Sequence, residues 1–406
     1  MRRPLDALNF FLADVRDGLG PYLAVYLLTV QKWDEASIGI VMSIAGIAAI
    51  LAQTPAGALI DSSQFKRGLV VTGAILVMIS TLVLPLFPSF SMVAGLQAVS
   101  GAAGSIFQPA IAAITLGIVG PQAFTKRTGR NEAFNHAGNA TAAILAGATA
   151  YFLGPIVVFY VMSIFAVASL ISVMMIPASS INHDVARGLI DANESKHRPS
   201  AWSILLTDKP LLVFAISVTL FHFANAAMLP LVGQKLSLQN GELGTTYMSG
   251  CIVAAQLVMI PMAILVGAKA DRWGRKPIFL AGFLILPLRG FLYTLSDDAM
   301  WLIAVQALDG IGAGIFGALF PIVVSDLTRG TGHFNVSQGA ISTAIGIGAA
   351  LSTSFAGFIV VRAGYNSAFL FLAVIATIAL ALFWLAMPET YSEESDSGPQ
   401  TAPEAA

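Results

Sequence analysis

The sequence predicts an all-α membrane protein of twelve transmembrane helices arranged as two pseudo-symmetric six-helix halves. Three observations lead there. Of 406 residues, 56% are hydrophobic and only 11% charged, against about 25% charged in soluble domains. Apolar runs recur at the roughly 20-residue length that a hydrocarbon core about 30 Å thick demands. Short signals in the first half return in the second in the same order.

The runs fall near 8–30, 36–60, 68–88, 90–119, 131–154, 156–177, 209–231, 243–268, 277–295, 299–327, 335–361 and 365–387. Membrane barrels would show short alternating segments instead. An even count puts both termini on one side, and Lys and Arg, retained in short cytoplasmic loops, choose that side. Sixteen of the 21 Lys and Arg share the N-terminal side, Lys32, Lys235 and Arg362 lie opposite, and Arg16 and Arg289 sit within helices. The expectation is a multi-pass protein of the inner (plasma) membrane with both termini cytoplasmic. Asp14, Arg16 and Asp17 interrupt the first run and no small-residue cleavage site follows, so the first helix is expected to stay. Cys251, the single cysteine, excludes a disulfide and reads as a small packing residue.

The polar interval 178–208 reads as a cytoplasmic linker between a first half, 1–177, and a second, 209–388; residues 389–406, acidic and rich in Ser and Pro, read as a disordered cytoplasmic tail. His183 and His197 are then solvated linker residues. Gln97-Ala-Val-Ser-Gly101 returns as Gln306-Ala-Leu-Asp-Gly310 at an offset of 209, and the run from Gly57 to Asp61 returns as Gly267 to Asp271 at 210. Phe134-Asn135 and Phe334-Asn335 open helices 5 and 11 in this reading. Internal duplication places a central site between two units that rock about it.

Between helices 8 and 9, the run Gly267-Ala-Lys-Ala-Asp271-Arg272-Trp-Gly274-Arg275-Lys276-Pro277 resembles the loop signature of the major facilitator superfamily, G-x-x-x-D-R-x-G-R-+. The first-half copy keeps Gly57 and Asp61 but has Ser62, Gln64 and Phe65 in place of the Arg, the second Gly and the next Arg. The resemblance covers roughly residues 5 to 388. It implies that helices 1, 4, 7 and 10 line a central cavity. It also implies a gating latch, with Asp61 meeting helix 11 near Asn335, and Asp271 with Arg272 near Glu132. The residue types suit a latch: Gly permits close packing and Asp suits a helix N-terminus.

Ionisable groups within spans cost at least about 2.5–3.5 kcal/mol on insertion scales, so each is a site candidate. Asp14 and Asp17 share a face of helix 1 and bind protons or a cationic group, or else form an ion pair with Arg16. Asp309 lies near mid-depth of helix 10 opposite the neutral Ser100 of the repeat, which favours a proton-carrying role. In helix 5, Glu132 with His136 and Asn135 with Asn139 form a polar stripe, either a proton relay or packing hydrogen bonds. His222 and Asn225 form a similar pair in helix 7. Arg289 falls in helix 9, peripheral by the resemblance, and reads as snorkelling.

No G-x-x-x-x-G-K-[ST] loop, H-E-x-x-H site or G-x-S-x-G elbow occurs, so neither nucleotide hydrolysis nor an intramembrane enzyme is indicated. No cofactor or metal is expected. The partners are a small-molecule substrate, protons and the surrounding lipid, with no nucleic acid, and the chain is expected to act as a monomer. The leading expectation is secondary active transport, as proton-coupled export of a small organic solute. Proton-coupled import of a small polar solute comes second, and a non-transporting sensor or scaffold is the remote alternative. Two departures from the resembling family stand out: Gln97 stands where many of its exporters carry Arg in helix 4, which speaks against a proton relay of their usual kind, and their G-P-x-x-G-G run in helix 5 is missing, which leaves export unsigned.

Overall fold

A computed structural model of the chain describes residues 2–17, 19–189, 207–240 and 244–391. Among these residues every regular element is helical. The spans are α1 (Arg2–Asp17 continued by Gly20–Thr29), α2 (Glu35–Ser62), α3 (Lys66–Val83), α4 (Phe90–Gly104 continued by 107–119), α5 (121–153) and α6 (Val157–Met174). The second half holds α7 (Lys209–Ala226 continued by Met228–Asn240), α8 (Gly244–Trp273), α9 (Arg275–Leu292), α10 (Ala299–Ala307 continued by Asp309–Leu327), α11 (334–363) and α12 (365–386). Eight described helices are long and apolar enough to cross a membrane, and two of these fold back, at Gly120 and Gly364, to make ten spans. The other two are α1, interrupted after Asp17, and α9, which carries Arg275, Lys276 and Arg289.

Local chemistry sets the helix ends. Asp34, Asp208 and Asp298 each accept a backbone N–H of the first turn, from Ser37, Leu211 and Trp301 at 2.9 Å, relieving a donor that the helix leaves unsatisfied. The tight reversals use glycine. Gly154 (φ 83°, ψ 167°) between α5 and α6 and Gly364 (φ 82°, ψ 171°) between α11 and α12 share a conformation open essentially to Gly alone. They lie 210 residues apart, so the repeat extends into the backbone angles.

Four spans are interrupted midway: α1 after Asp17, α4 at Ser105 and Ile106, α7 at Ala227, and α10 at Leu308. The chain does not turn away at these points. At three of them it tightens, with Tyr22 N–H on Leu19 C=O (3.0 Å), Ile106 N–H on Ala103 C=O (3.2 Å) and Leu308 N–H on Val305 C=O (3.1 Å), the i to i−3 spacing of a 3₁₀ turn, whereas at Ala227 the N–H bonds the Ser352 hydroxyl of α11 (3.2 Å).

Each half has an apolar core. One gathers Leu8, Leu23, Val70, Phe107, Phe159 and their neighbours, the other Phe214, Phe279, Phe283, Phe320, Phe369 and theirs. The halves meet along two antiparallel seams, α2 against α11 and α5 against α8. At one end the backbones touch: a Cβ on Gly57 would lie 2.2 Å from the Asn335 carbonyl oxygen, one on Gly339 would lie 2.2 Å from that of Gln53, and one on Gly129 would lie 2.5 Å from that of Ala263. Further along the first seam Thr54 and Thr343 hydroxyls meet at 2.9 Å, and along the second His136 Nδ1 lies 3.0 Å from Gln256 Oε1. Beyond those points the same helix faces diverge, and Gly46 of α2 and Gly147 of α5 face open space. The bundle is therefore closed at the end that carries Lys66, Arg127 and Arg275, the basic end, and splayed at the other.

Three expectations are corrected. Helix 5 begins ten residues earlier than its apolar run, because Arg127 and Arg130, read as loop charges, both bond Asp6 of α1 (2.7 Å each) and sit within the helix. Asn135 is thus well inside α5, whereas Asn335 is the second residue of α11, and the Phe-Asn match is not an equivalence of position. The linker is not solvated throughout. Residues 178–189 pack against the basic end, with Asn182 N–H on Gly117 C=O (3.0 Å) and Gly330 N–H on Gly188 C=O (2.7 Å), and His183 is partly buried. The acidic tail also begins in place. Glu389 accepts the N–H groups of Arg275 (2.8 Å) and Lys276 (3.1 Å), capping α9, and Thr390 bonds Asp326 (3.2 Å). Residues 190–206 and 392–406 lie outside the described residues, His197 among them.

Gly364→Ala should lower stability by about 1–3 kcal/mol from backbone strain alone, since no atom would clash. Gly147→Ala, helical and facing open space, should instead raise it by about 0.5–1 kcal/mol. Unfolding midpoints in detergent would test the pair.

Candidate functional site

Between the splayed halves lies a central space with two compartments, of about 330 and 410 Å³, which share Arg16, Gln53, Gln108 and Ser342. Its walls come from α1, α2, α4, α5, α7, α8, α10 and α11, which adds α2, α5, α8 and α11 to the four helices that the resemblance implied. The lining is rich in amides. Gln53, Gln97, Gln108 and Gln338 face the first compartment, and Asn135, Asn139, Asn225 and Gln256 the second. Each offers both a donor and an acceptor. Gln338 is 1% exposed, and neither its oxygen nor its nitrogen has a hydrogen-bond partner among the described residues. Buried amides in that state call for a polar guest or water.

The stripe on α5 reaches this space. Glu132, Asn135, His136 and Asn139 all line the second compartment, with Asn135 Nδ2 donating to Glu132 Oε2 at 3.3 Å. Glu132 reaches across the seam to α10, where its Oε2 would stand 3.3 Å from a Cβ on Gly317. A side chain there would press on the carboxylate. His222 and Asn225 line the same compartment, the His222 ring edge-on to Phe316 at 4.4 Å between centroids. Asp14 is half-buried in α1 and is not among the residues lining either compartment. The side chain of Asp17 lies outside the described residues.

Asp309 has an environment that its sequence position did not show. Arg289, 2% exposed, does not snorkel but turns into the second half. Its Nη1 donates to Asp309 Oδ1 (2.5 Å) and Asn225 Oδ1 (2.7 Å), and its Nη2 to Gln306 Oε1 (3.1 Å). Gln306 Nε2 donates to Asp309 Oδ2 (3.1 Å), and the Tyr293 hydroxyl donates to Gln306 Oε1. The carboxylate is thus held by the Arg289 ion pair and by one further donor, the Gln306 amide. Asn225 links this cluster to the cavity wall.

At the basic end, Asp61 does what the latch reading expects. Its carboxylate accepts Asn335 N–H (3.2 Å), Asn335 Nδ2 (2.8 Å) and Val336 N–H (2.8 Å), capping the N-terminus of α11 from the other half. Gly57, one turn earlier, permits the approach. The second-half motif works differently from the expected pairing of Asp271 and Arg272 with Glu132, which lies deeper, in the cavity wall. Asp271 bonds Arg275 (2.7 Å) in its own half, and Arg272 is exposed. Arg275 makes the bridge instead, with Nε on Asp326 (3.1 Å), Nη2 on Thr125 Oγ1 of α5 (3.1 Å) and its guanidinium over the Tyr391 ring (4.6 Å). Gly267 packs on Gly129, a Cβ there falling 3.0 Å from the Gly129 Cα, while Gly274 (φ 86°) turns the chain into α9 ahead of Lys276. Sequence reasoning passed over Asp6, Gln53, Gln108, Gln256 and Gln338. An uncharged amide within an apolar run is the signal that would have found the four Gln.

Comparison with known proteins agrees with this architecture. The Major Facilitator Superfamily family model matches residues 7–286 and 250–405. An uncharacterised MFS-type transporter of Mycobacterium tuberculosis strain H37Rv is 58% identical over 393 residues, covering 97% of this chain and 94% of that one. A multidrug resistance protein of Schizosaccharomyces pombe is 29% identical over 38% of this chain and 29% of its own. Among solved structures, the major facilitator transporter FucP in its outward conformation superposes with a TM-score of 0.76 at 14% identity, covering 95% of this chain and 98% of that one.

Asp309→Asn leaves Arg289 buried without its counter-charge and should destabilise the protein by about 3–5 kcal/mol. Adding Arg289→Gln should recover most of that loss. A double-mutant cycle by thermal unfolding would check it; additive losses would show the pair to be uncoupled. Asp61→Ala should open the basic end, read as faster alkylation of a cysteine introduced at Gln338 than in the same variant with Asp61 intact.

Proposed function

The chain belongs to the major facilitator superfamily, and from that premise we propose that it carries a small organic solute across the membrane in exchange for protons, by alternating access to the central cavity. The observation that carries this reading is the pair of seams. They bring the halves into backbone contact at one end and part at the other, so the cavity has one mouth at a time, as a carrier requires. We place the basic end in the cytoplasm on the sixteen-to-three asymmetry of Lys and Arg. With that placement the structure is the outward-facing state, both termini are inside, and units 1–177 and 209–388 rock about the cavity.

We assign proton coupling to Glu132 with His136. Both line the cavity and both stand on the α5 seam. Glu132 stands beside the α10 backbone at Gly317; in this reading a proton removes its charge as the cavity closes and water leaves, and lets the seam tighten around it. Deprotonation on the other side reverses the step. Asp309, already paired with Arg289, is better suited to holding α7, α9 and α10 together than to carrying the proton.

Export draws support from the multidrug relatives, which match over less than two-fifths of the chain. Uptake of a small polar solute is the second reading, favoured by the amide lining and by Gln338 in particular. Purified protein in vesicles under an imposed proton gradient decides between them. Solute accumulating against the proton flux supports export, and solute moving with protons supports uptake. No gradient-dependent flux of any solute in a broad panel would reject the transport reading. Glu132→Gln should reduce gradient-driven accumulation to the level of protein-free vesicles while leaving solute exchange intact, and full accumulation by that variant would take coupling away from Glu132.

A further inference from the structure

Away from the central cavity, at the basic end of the first half, a cleft of about 320 Å³ opens between the start of α3 and the end of α6. Its polar wall is Gln64, Arg67 and His183; its apolar wall includes Phe65, Val71, Met174 and Ile181. Arg67 and His183 are incompletely satisfied. Arg67 Nη2 donates to the Met174 carbonyl (3.1 Å), but Arg67 Nε and His183 Nδ1 are shielded from water and have no hydrogen-bond partner among the described residues.

The local charge is positive. Among the acidic groups nearby, Asp61 is engaged by the α11 N-terminus and Asp184 by Arg187. Lys66, whose ammonium donates to the Ser63 carbonyl (2.8 Å), is buried within reach of the Asp61 and Asp184 charges, whereas Arg67 makes no ion pair among the described residues. Both stand in the first turn of α3, an 18-residue helix whose N-cap, Phe65, supplies no side-chain acceptor. The helix dipole therefore adds to the positive field. Directly beside this field the surface is greasy: Phe65 is 79% exposed and Met174 66%, where α3 and α6 face the lipid.

We infer that this cleft binds one anionic phospholipid, its phosphate on Arg67, His183 and the α3 N-terminus and an acyl chain along Phe65, Val71 and Met174. The fork of the Arg67 guanidinium suits a phosphate, and a turn of the Arg67 and His183 side chains toward the cleft gives Nε and Nδ1 the acceptor they lack. The neighbouring apolar wall gives the chains a place that a free anion would leave empty. Basic groups at a membrane surface recognise anionic headgroups by the same chemistry. The site lies outside the transport cavity, so its occupancy can be measured without any solute.

The test uses the purified full chain and native mass spectrometry, with phosphatidylglycerol and phosphatidylcholine of the same acyl chains as probes. The wild type should retain phosphatidylglycerol about tenfold better than phosphatidylcholine, whose phosphate is the same but whose choline cation is repelled by Arg67 and the α3 N-terminus. Arg67→Gln with His183→Gln should erase the preference. Gly68→Leu, which fills the mouth of the cleft while leaving every charge, should lower the retention of phosphatidylglycerol and serves as the readout if the double variant fails to fold. Equal retention of the two lipids by the wild type, an unchanged preference in the Arg67 and His183 double variant, or unchanged retention of phosphatidylglycerol in Gly68→Leu overturns the assignment. Displacement of phosphatidylglycerol by inorganic phosphate at millimolar concentration would mean a free-anion site and overturns it equally.

Discussion

The two halves can touch backbone to backbone only where no side chain stands between them, and that constraint organises the molecule. Gly57, Gly339 and Gly129 supply those places, all toward the basic end. Once α2 and α11 are that close, the α11 N-terminus presents its N–H groups to Asp61, and a carboxylate that would be costly alone becomes a cap. The same closeness on the other seam sets Arg275 within reach of Thr125. The ionic contacts follow from the packing, so the closed end owes its geometry to small residues and its selectivity for the closed state to charge.

Much of the fold was legible in the sequence because the bilayer leaves few options: an apolar run of sufficient length must be helical, and duplication supplies the second half from the first. The errors came where charge was equated with loop. Arg127 and Arg130 look like topology signals, and they are, but Asp6 lets them sit inside a helix. Glu389 and Thr390 look like the start of an acidic tail, and nothing local reveals that α9 lacks a cap until the tail provides one.

The site was less legible, for a related reason. The polar stripe of α5 shows its helical spacing in the sequence, and all four members reach the cavity. Asp309 and Arg289 were each noticed singly, yet their meaning lies in being adjacent, and twenty residues of chain separate them. Gln53, Gln256 and Gln338 carry no charge and, unlike Asn135 and Asn139 beside Glu132, have no ionisable neighbour within their own helical turn to mark them. In a membrane protein a lone amide can stay unpaired in the wall of a water-filled space more easily than a lone carboxylate, which makes amides the natural lining and the harder one to read.

The interruptions in α1, α4, α7 and α10 have a mechanical consequence. A straight helix of nearly thirty residues behaves as one rod, so tipping its upper end must swing its lower end the other way. An over-tightened turn at Ser105 or Leu308, or the N–H given to Ser352 at Ala227, acts as an elbow, and each rod becomes an upper and a lower arm. With elbows in four walls, the mouth at the splayed end can shut by movement of upper arms while the glycine contacts below stay made. The cavity can then pass through a state sealed at both ends, a lock chamber in place of a seesaw, and no moment need arise in which an open channel joins the two sides.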